Sequence, residues 1–146
     1  MRRSRRVVAG LSCLVAAPLL LGCSEVEPES REVYEPATVH EVAGSEAADV
    51  VLTPRGAEEV GLRLATSRRA GAYTAAPYAA LVYDGDGVPW VYVSRAPLAF
   101  RRVRVAVARV DGGQVLIASG LEPGARVVTV GAAELYGTEL GIAGKH

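Results

Sequence analysis

Short apolar runs, each broken by turn residues after a few positions, constrain the fold of this chain more than any other feature. Ala80-Leu81-Val82-Tyr83 and Trp90-Val91-Tyr92-Val93 flank Asp84-Gly85-Asp86-Gly87, a pattern that predicts a β-hairpin. Arg102 to Val107 alternates, which predicts a strand with Val103, Val105 and Val107 inward and Arg102 and Arg104 outward. Asp111-Gly112-Gly113 turns the chain into Val115–Ala118. Glu122-Pro123-Gly124 fits a type II turn, because proline presets φ at its first corner and glycine accepts positive φ at the second. Arg126–Val130 reads as the last strand, and Gly131 releases the chain into a short Ala132–Tyr136 segment. Upstream, Val50-Val51-Leu52 and Leu62–Ser67 read as strands around a short helix. Thr53 caps that helix, Pro54 occupies its first position and Gly61 stops it. The expectation is a mostly β fold, a small β-barrel or β-roll with one short helix, over residues 48–140, with a flexible C-terminus at 141–146.

Ahead of that domain lie two segments of different character. Residues 1–22 open with Arg2, Arg3, Arg5 and Arg6, continue through an apolar run from Val7 to Leu21, and end on Gly22 before Cys23. That order describes an export signal, and the run falls short of the ~20 residues a spanning helix needs. Leu20-Leu21-Gly22-Cys23 resembles the lipobox of bacterial lipoprotein precursors. The resemblance implies cleavage behind Gly22, with a diacylglyceryl thioether and an N-acyl group on Cys23, and more than one chain anchors firmly. The alternative is an ordinary secretory peptide followed by an unrelated cysteine. Residues 23–47 read as a disordered tether, since Glu25, Glu27, Glu29, Glu32, Glu35 and Glu41 alternate with Pro28 and Pro36 and apolar residues are sparse. A carboxylate cluster for a cation or a partner is the other reading of the same acids.

Composition narrows the chemistry. The chain balances 16 basic residues against 16 acidic ones, and loss of the four leading arginines leaves 12 against 16, a mildly acidic product with no signature of nucleic-acid binding. Cys13 lies in the leader and Cys23 would carry lipid, so no thiol is left for a disulfide or a metal. The histidines are His40 and His146, and the one methionine is Met1. Ser67, Ser94 and Ser119 lack a histidine in the predicted domain to activate them. No catalytic residue, metal or cofactor is therefore expected, and the chain is read as a non-enzyme.

The remaining motifs each admit two readings. Asp84 and Asp86 stand at calcium-ligand spacing, but the further oxygen ligands and distal glutamate of an EF-hand loop do not follow, so a hairpin turn accounts for them. Gly85 and Gly87 imitate part of a phosphate loop without the Gly-Lys-Ser/Thr that completes one. Arg101, Arg102 and Arg104 form the densest basic stretch after the leader, either a solvated strand face or a contact for an acidic partner or lipid headgroups. Tyr83, Trp90 and Tyr92, with Tyr73 and Tyr78, serve either as core packing or as a docking surface. The candidate partner contacts are thus Arg101, Arg102, Arg104, Tyr83, Trp90 and Tyr92.

The order of motifs carries a further resemblance. Ala80–Gly87, Trp90–Val93 and Phe100–Val105 are followed by Ser119-Gly120-Leu121-Glu122-Pro123-Gly124-Ala125-Arg126-Val127-Val128 and Gly131-Ala132-Ala133-Glu134-Leu135. From about Pro77 to Leu135 the chain is similar to the C-terminal membrane-proximal domain of periplasmic adaptor subunits, or membrane fusion proteins, of resistance-nodulation-division efflux pumps. Val51–Pro54 and Glu59–Leu62 are similar to the segment that precedes the other domains in many such adaptors. Those adaptors place a β-barrel, a lipoyl-like domain and an α-helical hairpin between the two pieces. Here Leu64-Ala65-Thr66 runs almost directly into Ala72-Tyr73-Thr74 and Pro77, and no heptad-patterned stretch exists to build the hairpin. Copper-handling adaptors offer methionines, which this chain lacks beyond Met1.

The resemblance implies a lipid-anchored, extracytoplasmic, membrane-proximal-type module that binds an envelope transporter complex, with an inner-membrane transporter of that pump class as partner. The alternatives are a stand-alone lipoprotein that binds a ligand or envelope polymer with a reused adaptor fold, and a degenerate remnant. In a Gram-negative cell the module would face the periplasm, and Ser24 after the cysteine resembles an outer-membrane sorting choice. Ser4-Arg5-Arg6 is loosely similar to a twin-arginine signal.

Overall fold

A computed structural model describes residues Tyr34–Ile142. The leader, Cys23 and the first part of the expected tether lie outside the described residues. Strand accounts for 50% of the structure and helix for 16%, so the fold is mostly β as expected.

The strands are β1 Ala37–His40, β2 Asp49–Leu52, β3 Arg63–Thr66, β4 Arg68–Ala70, β5 Tyr73–Pro77 and β6 Leu81–Tyr83, then β7 Pro89–Ala96, β8 Ala99–Arg104, β9 Ala106–Asp111, β10 Gln114–Ser119 and β11 Arg126–Val130. Helix α1 spans Pro54–Glu59 and α2 spans Ala132–Glu139, with one 3₁₀ turn at Tyr78–Ala80. They form a seven-stranded sheet in the order β1-β2-β8-β7-β11-β3, with β6 also on β7, and a four-stranded sheet in the order β4-β5-β10-β9. Every pairing is antiparallel. Neither sheet closes on itself, so the expected barrel is not formed; two open sheets pack face to face instead.

The large sheet is covered on both faces, which explains its composition. One core cluster fills the space between the sheets, with Val91, Val93 and Val127 from the large sheet against Ala76, Val115 and Ile117 from the small one. The second lies under the helices, where Tyr92, Phe100 and Val128 meet Ala57 of α1 and Ala132 and Leu135 of α2. Because strand side chains alternate, β7 supplies both clusters, with Val91 and Val93 on one side and Tyr92 on the other.

Two corners carry the chain between the sheets. The expected single strand at 102–107 is broken at Val105, which is buried and hands the chain from β8 to β9. Gly120 packs against this corner at φ +95°, and a Cβ there would stand 2.1 Å from the Arg104 carbonyl oxygen, so only glycine fits. The second corner is Ser67, between β3 and β4. Its amide donates to the Ala125 carbonyl at 2.8 Å and its hydroxyl to the Glu122 carbonyl at 2.8 Å. The type II turn at Glu122–Ala125 forms as expected, with Gly124 at φ +91° and the Ala125 amide donating to the Glu122 carbonyl at 3.3 Å.

Three expectations are corrected. The ordered fold begins before residue 48, because β1 at Ala37–His40 pairs with β2 inside the segment read as tether. Its four residues, Ala37-Thr38-Val39-His40, are mostly exposed and too few to show a pattern, but the β2 edge satisfies their backbone groups. Residues 132–139 form a second helix, with Gly131 at φ +93° as its N-cap. Strands β4 and β5 carry no strong alternation and were not apparent from the alanine-rich Ala70–Ala76 stretch.

Candidate functional site

The densest polar network lies between the large sheet and α2, and its position follows from two periodicities. Arg102 follows buried Phe100 by two residues on β8, so it shares the helix-covered face, and the register sets it opposite Tyr92 of β7. Glu139 follows buried Leu135 by four residues on α2, so it points down onto the same face. The three side chains meet there.

Glu139 receives three donors. The Arg102 Nε donates to its Oε1 at 2.9 Å, as does the Ala48 amide at 2.9 Å, and the Tyr92 hydroxyl donates to Oε2 at 2.5 Å. The pair is withdrawn from water, with 11% of the Arg102 side chain and 4% of the Glu139 side chain exposed. Arg102 also donates from Nη2 to the Glu46 carbonyl at 2.7 Å, and its guanidinium sits 4.2 Å from the centre of the Trp90 ring and 5.7 Å from that of Tyr136. Burial, together with the hydrogen bond to Glu139, pushes the Tyr92 hydroxyl well above the usual tyrosine range and keeps it a donor. A carboxylate already saturated by donors is a clamp rather than a free base. It ties the 46–48 segment and α2 to strands β7 and β8.

The network continues to the hairpin loop. Trp90 Nε1 donates to Asp84 Oδ2 at 2.9 Å, while the amides of Asp86 and Val88 donate to Oδ1 at 3.0 and 2.8 Å. These bonds, that from Trp90 foremost, lower the Asp84 pKa. The carboxylate thus closes its own turn, as the hairpin reading requires. Among the described residues no group of three or more His, Cys, Asp or Glu side chains converges to hold a metal.

The candidate contacts are therefore split. Alternation sends Arg101 to the opposite face from Arg102 and Arg104, so the three arginines do not make one patch. Arg101 holds Asp49 in a two-point ion pair, Nε to Oδ1 at 2.7 Å and Nη2 to Oδ2 at 2.6 Å, which lowers the Asp49 pKa. Arg102, predicted outward, is turned inward. Trp90 and Tyr92 are core residues, 6% and 0% exposed, and offer no surface to a partner. Tyr83, 48% exposed, and Arg104 remain accessible, and pairing to Pro89 and Trp90 brings both to the hairpin end of the large sheet. Cys23 lies outside the described residues.

A groove of about 630 Å³ opens beside the clamp, between the 41–48 loop and the end of α2, with Val39, Val42 and Leu140 on its walls and Arg102 and Glu139 at its floor. Sequence reasoning missed Glu139 and Asp49. The four-residue spacing from Leu135 was the available signal for Glu139, and it was hidden because 132–139 was not read as a helix.

In comparisons with known proteins, no family model, no curated protein and no solved structure matches this chain.

Proposed function

We propose that this chain is a non-catalytic, lipid-anchored extracytoplasmic module that binds an envelope transporter complex. The observation that carries the reading is the way its early and late segments interleave. Strand β3 pairs with β11, and β2 with β8, so strands from 49–66 and from 77–135 lie side by side in the large sheet. The piece that precedes the other domains in efflux adaptors thus has its partner strands within this chain, and the short β4–β5 hairpin fills the place of the missing domains. The motif Gly120-Leu121-Glu122-Pro123-Gly124, central to the resemblance, builds both inter-sheet corners. A module so assembled can dock without a coiled hairpin.

Cys23 supplies the anchor, and the exposed hairpin end around Tyr83 and Arg104 is the contact surface left accessible among the candidate residues. A photo-crosslinker at Tyr83 in native membranes is expected to recover a transporter subunit of the resistance-nodulation-division class. Recovery of none, with the protein abundant, sinks the proposal.

The groove beside Arg102 and Glu139 favours a second reading, a stand-alone lipoprotein holding a small ligand or polymer strand. Drug susceptibility of a deletion strain separates the two, since unchanged efflux supports the second.

A further inference from the structure

We infer that the outer face of the small sheet lies on an anionic phospholipid surface, with Arg68 and Arg109 as its headgroup contacts. The inference rests on the anchored reading above and adds to it the face that meets the bilayer.

The register fixes that face. Arg68 pairs with Ala75, Ala75 with Leu116, and Leu116 with Arg109, so one row crosses all four strands from edge to edge. Residues of one row point to the same side of a sheet. Ala76, Val115 and Ile117 fill the core between the sheets, whereas Ala75 and Leu116 belong to neither core cluster. The row therefore faces away from the core. It sets buried Ala75 and half-buried Leu116 between two exposed arginines, with exposed Tyr73 two residues from Ala75 on the same side.

Both arginines keep donors for an outside partner. Arg68 spends one on Gln114 Oε1 at 3.2 Å, and Arg109 approaches Asp111 only to 3.9 Å with both side chains largely in water. Among the described residues, the three grooves of the 41–48, 57–63 and 79–134 regions are lined by other residues, and a flat array of phosphates suits such a face better than a small ligand. Planar guanidinium groups match phosphate geometry, and tyrosine favours headgroup depth.

Charge on the opposite side agrees. The small sheet carries Arg68, Arg69 and Arg109 against Asp111, whereas the exposed charges of α1 and α2, across the large sheet, are Glu58, Glu59 and Glu134 against Arg55. An anionic bilayer attracts the first layer and repels the second, which orients the molecule.

The test uses the lipidated chain from Cys23 onward, whose one cysteine is blocked by the thioether, with Ala118→Cys bearing a fluorophore on β10. It is reconstituted in phosphatidylcholine vesicles, with or without phosphatidylglycerol, each containing a spin-labelled quencher lipid. Quenching is expected only with phosphatidylglycerol at low salt, and a fluorophore at Glu58→Cys on α1 stays bright. Arg68→Ala with Arg109→Ala lowers the docked-to-free ratio about 30-fold, since each arginine near such a surface contributes about fivefold. Equal quenching in both vesicles, or a double variant that quenches like its parent, overturns the inference. So does a double variant that keeps its vesicle quenching but loses the transporter crosslink, because the arginines then contact protein. Failure of the anchor reads separately, as a chain stripped from both vesicle types by high salt. Low-salt sedimentation of that chain with phosphatidylglycerol vesicles alone still supports docking, and its absence overturns it.

Discussion

Arg102 and Glu139, 37 residues apart in sequence, meet at 2.9 Å almost out of contact with water, and that pair is the pivot of the polar network. A buried charge left alone is far more costly than a buried pair is favourable. Glu139→Ala is expected to cost about 3–5 kcal/mol, and Arg102→Ala a similar amount with the loss of its Trp90 stacking. Arg102→Ala combined with Glu139→Ala is expected to cost much less than the two single changes added together. Urea unfolding followed by Trp90 fluorescence checks this double-mutant cycle, and additive costs would contradict the clamp.

Tyr92→Phe removes one of the three donors to Glu139 without opening a cavity. A hydrogen bond to a charged group contributes about 1.5–3 kcal/mol, and the loss in the same unfolding assay should fall in that range. The variant also tests a pH effect. The folded-state pKa of Tyr92 is raised above the ordinary 10.0, so its contribution is complete below pH 10 and declines as pH rises further. Stability of the parent should fall above that pH with tyrosinate absorbance appearing on unfolding, and Tyr92→Phe should shallow the decline.

At the acid end the sign reverses. Asp49 and Asp84 both have folded pKa values below the ordinary 3.8, the first through Arg101 and the second through Trp90. Their contribution is present above that pH and is lost as pH drops through the lowered values. The unfolding midpoint should therefore decline below about pH 4. Asp49→Asn should flatten part of that decline while costing no more than about 1 kcal/mol at neutral pH, as befits a partly exposed pair. An acid limb unchanged in both Asp49→Asn and Asp84→Asn would contradict the assignment.

Gly120→Ala places a methyl group 2.1 Å from the Arg104 carbonyl oxygen at a φ of +95°. Strain and overpacking together predict a loss of about 2–5 kcal/mol. Gly85→Ala, in the exposed hairpin loop, meets nothing within 4 Å and is expected to change stability by less than about 0.5 kcal/mol. Thermal unfolding of the two variants side by side tests whether the corner at Val105 sets the limit.

The hairpin at 84–87, the type II turn at 122–125 and the capped helix at 54–59 were legible because each rests on a local rule of backbone geometry. What stayed hidden depends on long-range partners. Arg102 was assigned outward from alternation alone, which fixes that it opposes Arg101 but leaves open which side is covered. Only α2, arriving from 132–139, makes its side the buried one. The same absence of a long-range partner concealed β1, whose four mostly exposed residues form a strand where the β2 edge receives them. For the candidate site, residue types were visible and their grouping was not. Arg101, Arg102 and Arg104 lie within four residues of one another yet fall on two faces of one strand.

The pairing of β1 with β2 also sets a length. Were order to begin only at residue 48, about 25 residues beyond a lipid on Cys23 could carry the domain up to about 85 Å from the membrane. With β1 paired from Ala37, at most 13 residues lie between Cys23 and the sheet, and fully extended they span about 45 Å. If Cys23 is anchored as proposed, so short a link would hold the domain near membrane partners at an effective concentration in the millimolar range. Contacts with dissociation constants near millimolar, too weak to survive purification, would then be occupied much of the time at the bilayer.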